Sequence, residues 1–333
     1  MNVVVMQSPG DPGVLATARA PVPRPGDGQV LIRVQAIAVS SRDLLIRSGK
    51  KPHALPDLFG SDAAGEVIVV GRGVTDWSRG DRVIVLGDSI PQTPRGVYAD
   101  FQAVSSTDLQ SIPNNVSFLS AASVGRTFAT AWVAIFGDGR FGMNERVVVI
   151  GADQPTGIAA VQICRWKDST VIAVANGRHA PRLGALGATR SISQSAPNLA
   201  DHVSAGLDAQ RATVVINISG SALSDSLRML DRDGRLVLTS GGDPQPLDIE
   251  LLVDRRAHVI GAPRRVDTTD LNHILKLLGE GTFIPVIDSI FPLSQAAQAH
   301  QRAEAPQAFG TVLLVPDHLF DLAEEIPEVR EES

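Results

Sequence analysis

Arg146-Val147-Val148-Val149-Ile150-Gly151-Ala152-Asp153-Gln154-Pro155-Thr156-Gly157 is the stretch from which the fold follows. The apolar run Val147–Ile150 leads into a turn with glycine at 151 and 157, and Ile158 to Cys164 continues with helical spacing. A second apolar run, Val171-Ile172-Ala173-Val174, comes next, and Leu183-Gly184-Ala185-Leu186-Gly187-Ala188 ends another helix. Parallel strands covered on both faces are continuously apolar, so Arg146 to Arg190 is a βαβ unit. The first turn of such a unit is where a dinucleotide pyrophosphate rests on a helix N-terminus.

Outward from this unit, the α/β alternation runs on towards the C-terminus. Strands are predicted at Thr213–Ile218, Arg235–Thr239 and His258–Gly261, and helices at Leu223–Leu230 and Asp270–Glu280. Strand, helix and strand again fill Val286 to Val315, and the tail from Pro316 is acidic and expected to fray. Before the unit, Ala121 to Ile135 has few breakers and is predicted helical. Residues 1 to about 120 hold short strands between turns: Val3–Val5, Val30–Val34, Glu66–Val70 and Asp81–Val85. Pro21, Pro23 and Pro25 mark a turn or edge, and Ser41 to Arg47 forms a short helix. Several strands with regular turns suggest a small barrel or sandwich. The fold class is therefore α/β, a small β-barrel domain plus a doubly wound parallel sheet of the Rossmann kind.

The 333 residues suffice for two domains with separate cores. A net charge of −6 argues against nucleic acid or an anionic membrane as main partner. A single cysteine excludes an internal disulfide framework and a multi-cysteine zinc site. No signal peptide and no apolar run of membrane-spanning length stands out, so a cytoplasmic location is expected.

The motifs, taken in order, carry a family resemblance. They are Phe59-Gly60-Ser61-Asp62-Ala63-Ala64-Gly65-Glu66-Val67, Val70-Gly71-Arg72-Gly73-Val74, Gly80-Asp81-Arg82-Val83 and Gly96-Val97-Tyr98-Ala99-Asp100. Leu186-Gly187-Ala188, Phe291-Pro292-Leu293 through Ala299-His300, and Gly310-Thr311-Val312 follow. Together they resemble the medium-chain dehydrogenase/reductase superfamily, in its zinc-independent quinone oxidoreductase-like branch. The resemblance implies a GroES-like barrel domain over 1–120, completed by about 290–333, and a Rossmann domain over 121–289. It also implies an active site in the cleft, a small-molecule substrate and a homodimer. The run Val286-Ile287-Asp288-Ser289-Ile290-Phe291 is expected to be an edge strand of the Rossmann sheet that pairs across a two-fold axis.

Gly151, Pro155, Thr156 and Gly157 stand in the phosphate turn, where glycine permits the tight bend and close backbone approach. Gln154 and Pro155 replace the branch's usual Gly-Gly. Proline is tolerated at the first helical position, but a carboxylate at Asp153 repels a pyrophosphate unless it points away. The turn either holds its cofactor or has lost it. At the end of the second strand, Ala175-Asn176-Gly177-Arg178-His179 has no acid to bind a ribose 2′-hydroxyl. Arg178, with Arg182 nearby, is either a partner for a 2′-phosphate or a solvated arginine at a helix start. The missing acid favours NADPH over NADH. The resemblance adds Thr130, Asn217, Ser219, Ser240, Gly241, Gly261 and Ala262 as cofactor contacts. Each is equally a cap or turn residue.

At positions where zinc-dependent relatives carry Cys, His and Cys, this chain has Ser40, Ser61 and Arg126. A hydroxyl is a poor zinc ligand and a guanidinium repels the metal. Ser40 and Leu45 stand where the quinone reductases carry Asn and Tyr. Tyr98 is assigned to a barrel strand with a structural role, and Cys164 to the core of a Rossmann helix. Arg126 needs an anionic or carbonyl partner, either Asp62, Asp43 or the substrate. Ser40, Ser61 and Arg126 are the candidate catalytic groups, as donors to a developing oxyanion. No general acid is evident, so the α-carbon proton is assigned to water. Two functions follow: an NADPH-dependent reductase of enones or quinones, or a scaffold without redox chemistry, as a binding subunit or a non-redox catalyst.

Overall fold

The computed structural model describes residues 1–51, 57–58, 60–86, 96–137, 141–239, 246–262 and 267–324. The chain forms two compact units. One comprises Met1–Arg126, Leu271–Gly281 and Pro285–Ser333; the other comprises Thr127–Asp270 and Thr282–Ile284. The division falls at Arg126/Thr127, inside a helix, whereas the sequence motifs place the borders near residues 120 and 289.

The N-terminal run is β1 (Asn2–Met6), β2 (Leu15–Arg19), β3 (Gln29–Ala38), α1 (Ser41–Arg47), β4 (Asp57–Leu58), β5 (Asp62–Val70), β6 (Arg82–Leu86), β7 (Phe101–Ser105), β8 (Leu109–Ser111) and α2 (Phe118–Phe136). Then come β9 (Arg146–Ile150), α3 (Pro155–Trp166), β10 (Thr170–Ala175), α4 (Ala180–Ala185), β11 (Arg190–Ser193), α5 (Leu199–Gly206), β12 (Ala212–Asn217), α6 (Leu223–Met229), β13 (Leu230–Leu238), α7 (Ile249–Arg255) and β14 (His258–Gly261). The chain finishes with α8 (Thr268–Gly279), β15 (Ile287–Pro292), α9 (Ala296–Ala303), β16 (Thr311–Val315) and α10 (Phe320–Glu324).

In the first unit β3 is the hub, pairing antiparallel with β5, β7 and β16. Its sheet runs β15-β16-β3-β5-β6-β8, and β2-β1-β4 form a second, smaller sheet. Val30, Ile32 and Val34 recur at the strand period of two and enter one core with Val4, Ile37, Tyr98, Leu293 and Leu314. Two expectations are corrected here. The run Val286–Phe291 does not edge the Rossmann sheet: β15 lies parallel to β16 at the edge of the first unit's sheet. An apolar strand looks the same in either sheet, so its sequence does not declare its neighbour. Tyr98 lies in no strand; it sits one residue before an isolated bridge, Val3 to Ala99, and its carbonyl accepts from Val4 N at 2.8 Å.

The second unit's sheet has the order β11-β10-β9-β12-β13-β14, with every pair parallel. Val147, Val148 and Val149 are wholly buried, as a two-sided strand requires. The order reverses between β9 and β12, and the crevice at the carboxyl ends of strands at such a reversal is where ligands bind in open α/β sheets. Pro155 opens α3, where its missing N–H costs nothing. Cys164 is buried in α3, and burial pushes its thiol up. By length and composition α2 could cross a membrane, contrary to the sequence reading, yet 72% of its apolar window is buried inside the protein. It is a core helix.

Candidate functional site

The phosphate turn lies between β9 and α3, in the second unit. Gly151 has φ +78°, a left-handed conformation that favours glycine. A Cβ on Gly157 would lie 2.1 Å from the Gly151 carbonyl oxygen, so helix and turn can approach only with glycine there. Asp153 points away from the turn: its Oδ2 accepts from Asn176 N at 2.9 Å and lies 3.0 Å from His179 Nδ1. His179 is buried and went unremarked in the sequence, where nothing marks a residue 26 positions on as the partner of Asp153.

Other candidates meet this turn at the carboxyl edge of the sheet. Asn217 pairs in register with Ile150, and the Ser219 amide nitrogen lies 3.4 Å from where a Gly151 Cβ would stand. Asn217 is buried and organises its own turn. Its amide donates to Ser221 O (2.6 Å) and Ser226 Oγ (3.2 Å), and its Oδ1 accepts from Gly220 N (2.9 Å) and Ser219 Oγ (3.2 Å). Its side-chain hydrogen-bonding capacity is used within the protein, in shaping the turn after β12. Asn176 caps the following turn by accepting from Arg178 N at 3.2 Å. Arg178 is exposed, with Nε on Asn176 Oδ1 at 3.3 Å, and Pro155 and Thr156 are half-buried in the first turn of α3. Thr130 is half-buried on α2, and Gly261 is exposed at the end of β14. Ser240 and Gly241 lie outside the described residues, as does His53.

The candidate catalytic residues gather in the first unit. Ser40 is the N-cap of α1, and Asp43 completes a capping box that ties the two residues together. Ser40 Oγ lies 2.8 Å from Asp43 Oδ2, and Asp43 N donates to Ser40 Oγ at 3.2 Å. Ser61, just before β5, places its Oγ 3.2 Å from Ser40 Oγ and 3.1 Å from Asp62 Oδ2. Arg126 Nε donates to the same Asp62 Oδ2 at 2.6 Å, so of the partners open to Arg126 it is Asp62 that receives it. Asp43 and Asp62 are each 1% exposed. Burial first, then the neighbouring charge of Asp62, raise the Asp43 carboxyl to about 7.

Behind this row stands a second buried pair. Tyr98 OH lies 3.0 Å from His300 Nε2. Burial, with Arg47 nearby, pushes His300 down to about 3, and burial together with Asp43 and Asp62 raises the Tyr98 phenol well above its ordinary value. The sequence missed Asp43 as a site residue, although Ser-x-x-Asp before an apolar run is a capping-box signal. Among the described residues no group of three His, Cys, Asp or Glu side chains could hold a metal ion.

Comparison with known proteins agrees with this architecture. Residues 26–114 match the alcohol dehydrogenase GroES-like domain, and residues 186–314 match the family described as zinc-binding dehydrogenase. The quinone oxidoreductase of Mus musculus is 31% identical over 292 residues, covering 84% of this chain and 86% of that protein. A solved NAD-dependent alcohol dehydrogenase matches with TM-score 0.88 and 28% identity, covering 95% of this chain and 99% of that one. Mycobacterial Rv1454c complexed with NADPH matches with TM-score 0.86 and 25% identity, over 95% of this chain and 100% of the other. With a GroES-like domain, a Rossmann domain and this relative across most of its length, the chain belongs to the quinone oxidoreductase-like branch of the medium-chain dehydrogenase/reductase superfamily.

Proposed function

We propose that this protein is a zinc-independent, NADPH-dependent reductase of an activated alkene (enone) or a quinone-type small molecule. Its membership of an oxidoreductase family supports the class, and one observation carries the cofactor. Gly151 and Gly157 keep the tight turn, and Asp153, the one carboxylate in it, is held on Asn176 N and His179. The objection to a pyrophosphate on α3 is thereby removed. Thr156 and the backbone N–H groups of the turn from Gly151 to Gly157 would hold the pyrophosphate, with Pro155, which has no N–H to offer, setting the start of α3, and Arg178 would hold the 2′-phosphate. Bound there, the dinucleotide supplies a hydride.

Zinc does not fit the residues present. Two hydroxyls and a guanidinium stand in place of thiolates and imidazole, and of the two carboxyls beside them Asp43 is held by Ser40 and Asp62 accepts from Arg126. Negative charge developing on the substrate carbonyl would instead be met by hydroxyl donors of Ser40 and Ser61, with Arg126 setting the field through Asp62. Elemental analysis of active protein should find no stoichiometric zinc.

The cofactor claim is tested by titrating the protein with NADPH and NADH and following nicotinamide fluorescence. NADPH is expected to bind more tightly. Arg178→Ala should weaken NADPH alone, by about 1.5–3 kcal/mol, the worth of a charge-assisted hydrogen bond. Equal weakening of both nucleotides counts against the 2′-phosphate role. No binding of either one favours the scaffold without redox chemistry.

A further inference from the structure

Three oxygen–oxygen contacts link Asp43, Ser40, Ser61 and Asp62 in a single file, at 2.8, 3.2 and 3.1 Å. Two serines bring two hydroxyl hydrogens to three links. With both carboxyls ionised, Ser40 donates to Asp43 and Ser61 donates to Asp62, and the two hydroxyl oxygens then face each other with no hydrogen between them. A third hydrogen fills every link only if one carboxyl carries it. Asp43 Oδ2 also accepts from Ser40 N at 3.0 Å, a neutral donor, whereas Asp62 Oδ2 is held by the Arg126 guanidinium at 2.6 Å, which favours the ionised form, so the place for the proton is Asp43. The file then runs one way: Asp43 O–H to Ser40, Ser40 to Ser61, and Ser61 to the Asp62 carboxylate.

We propose that Asp43 stores a carboxylic proton at the end of this file and that Ser40 passes it to the substrate carbonyl during reduction; the passing rests on the function proposed above. The balance is simple. The nicotinamide, if bound as proposed above, would supply the hydride for the new bond at the β-carbon of the enone and be oxidised, as the π electrons move to oxygen. Ser40 O–H gives its proton to that oxygen, yielding an enol that returns to the ketone, or a hydroquinone from a quinone. Asp43 O–H reprotonates Ser40, and solvent restores Asp43. Ser40 is half-exposed while Asp43 is buried, so the hydroxyl is the outer member of the pair. Among the described residues the titratable groups that act on Asp43 are Asp62 on β5 and Arg126 on α2, and Tyr98, whose hydroxyl lies against His300, feels the Asp43 charge in turn; Arg42 and Arg47 share its helix. The raised carboxyl of Asp43 agrees with a stored proton at neutral pH.

Two measurements on the full-length protein test the idea. Asp43→Asn has no proton to give up: an amide nitrogen in the place of Oδ2 still donates to Ser40 Oγ but no longer accepts from Ser40 N, so the variant's unfolding midpoint is read alongside its rate. Infrared spectra of the free protein should show a buried carboxylic C=O band at mildly acid pH that fades with rising pH and is absent from Asp43→Asn. With NADPH and an enone, parent turnover should fall as pH rises through the same range. Asp43→Asn should be slowed by about a hundred-fold or more, as loss of a general acid typically costs, with no pH dependence over that range. A band retained in the variant overturns the stored proton. A variant with parental rate and pH profile overturns the relay and leaves the reductase standing. A band that behaves as expected in a protein that reduces no enone or quinone overturns the functional reading and the proton's use, and upholds the stored proton.

Discussion

Asp43 and Arg126 act on stability in ways that their residue types alone do not announce. The Asp43 carboxyl moves from an ordinary 3.8 to about 7, through burial and then the charge of Asp62. Between those values the folded protein holds a proton that the unfolded chain has released. Stability from this group is therefore full at low pH and falls as pH rises towards 7, by about 1.4 kcal/mol per pH unit crossed. Asp43→Asn does not ionise, so its stability relative to the parent should improve between about pH 4 and pH 7 in urea unfolding. A constant difference across that range would show that folding does not raise the Asp43 carboxyl. Arg126 guards the other end of the file. Asp62 has a 2% exposed side chain and its guanidinium partner is 19% exposed. Arg126→Ala strands that carboxylate and should cost about 3–5 kcal/mol, as breaking a buried pair does. Adding Asp62→Asn should recover much of the loss, and an unchanged midpoint for Arg126→Ala would mean the pair holds nothing together. Ser40, Ser61 and Arg126 were legible through family motifs. The Ser40–Asp43 capping box was open to a local reading, but the contacts of Ser40 with Ser61 and of Arg126 with Asp62 were not, because they depend on where α1, β5 and α2 meet.

The turn from β9 into α3 shows how far one element can be taken from its letters. Its apolar strand, its glycines and its proline at the first helical position all predicted what is present. The direction of Asp153 did not follow from them, since Asn176 and His179 come from beyond the next strand. The turn stands or falls with Gly157. An alanine there would place its methyl 2.1 Å from Gly151 O, against backbone that cannot yield cheaply. Gly157→Ala is expected to abolish nucleotide binding in the fluorescence titration and to lower the unfolding midpoint. Nucleotide binding at parental affinity would mean that the close approach is not needed. Asp153→Asn probes the same element more gently. It keeps an acceptor for Asn176 N, should leave the fold intact, and, with the carboxylate removed from the turn, should bind nucleotide at least as tightly as the parent in the same titration. A large loss of affinity would mean that the charge of Asp153 is needed to hold the turn.

For the whole molecule, the expected homodimer needs an edge other than Val286–Phe291. With β15 in the first unit's sheet, the outer strands of the Rossmann sheet are β11 and β14. On β14, Val259 is 40% exposed beside a strand paired only through β13 among the described residues. An apolar open edge of this kind is one that proteins usually cover. Light scattering at micromolar concentration should give twice the single-chain mass of 35.2 kDa, and Val259→Lys should shift it towards one. A single-chain mass for the parent would contradict the dimer. By itself the sequence determined the βαβ unit with its glycine turn, most of the α/β alternation after it and the family, because these follow from local periodicity, from backbone freedom at particular glycines and from motifs in series. Only the tertiary structure decided that β15 completes the first unit, that Asn217 spends its hydrogen bonds on its own turn, and that two serines lie between two buried aspartates. The place of β15 and the approach of Ser40 to Ser61 at 3.2 Å and of Arg126 to Asp62 at 2.6 Å depend on residues far apart in the chain, and the Asn217 turn on side-chain directions within nine residues; neither leaves a trace in composition or spacing.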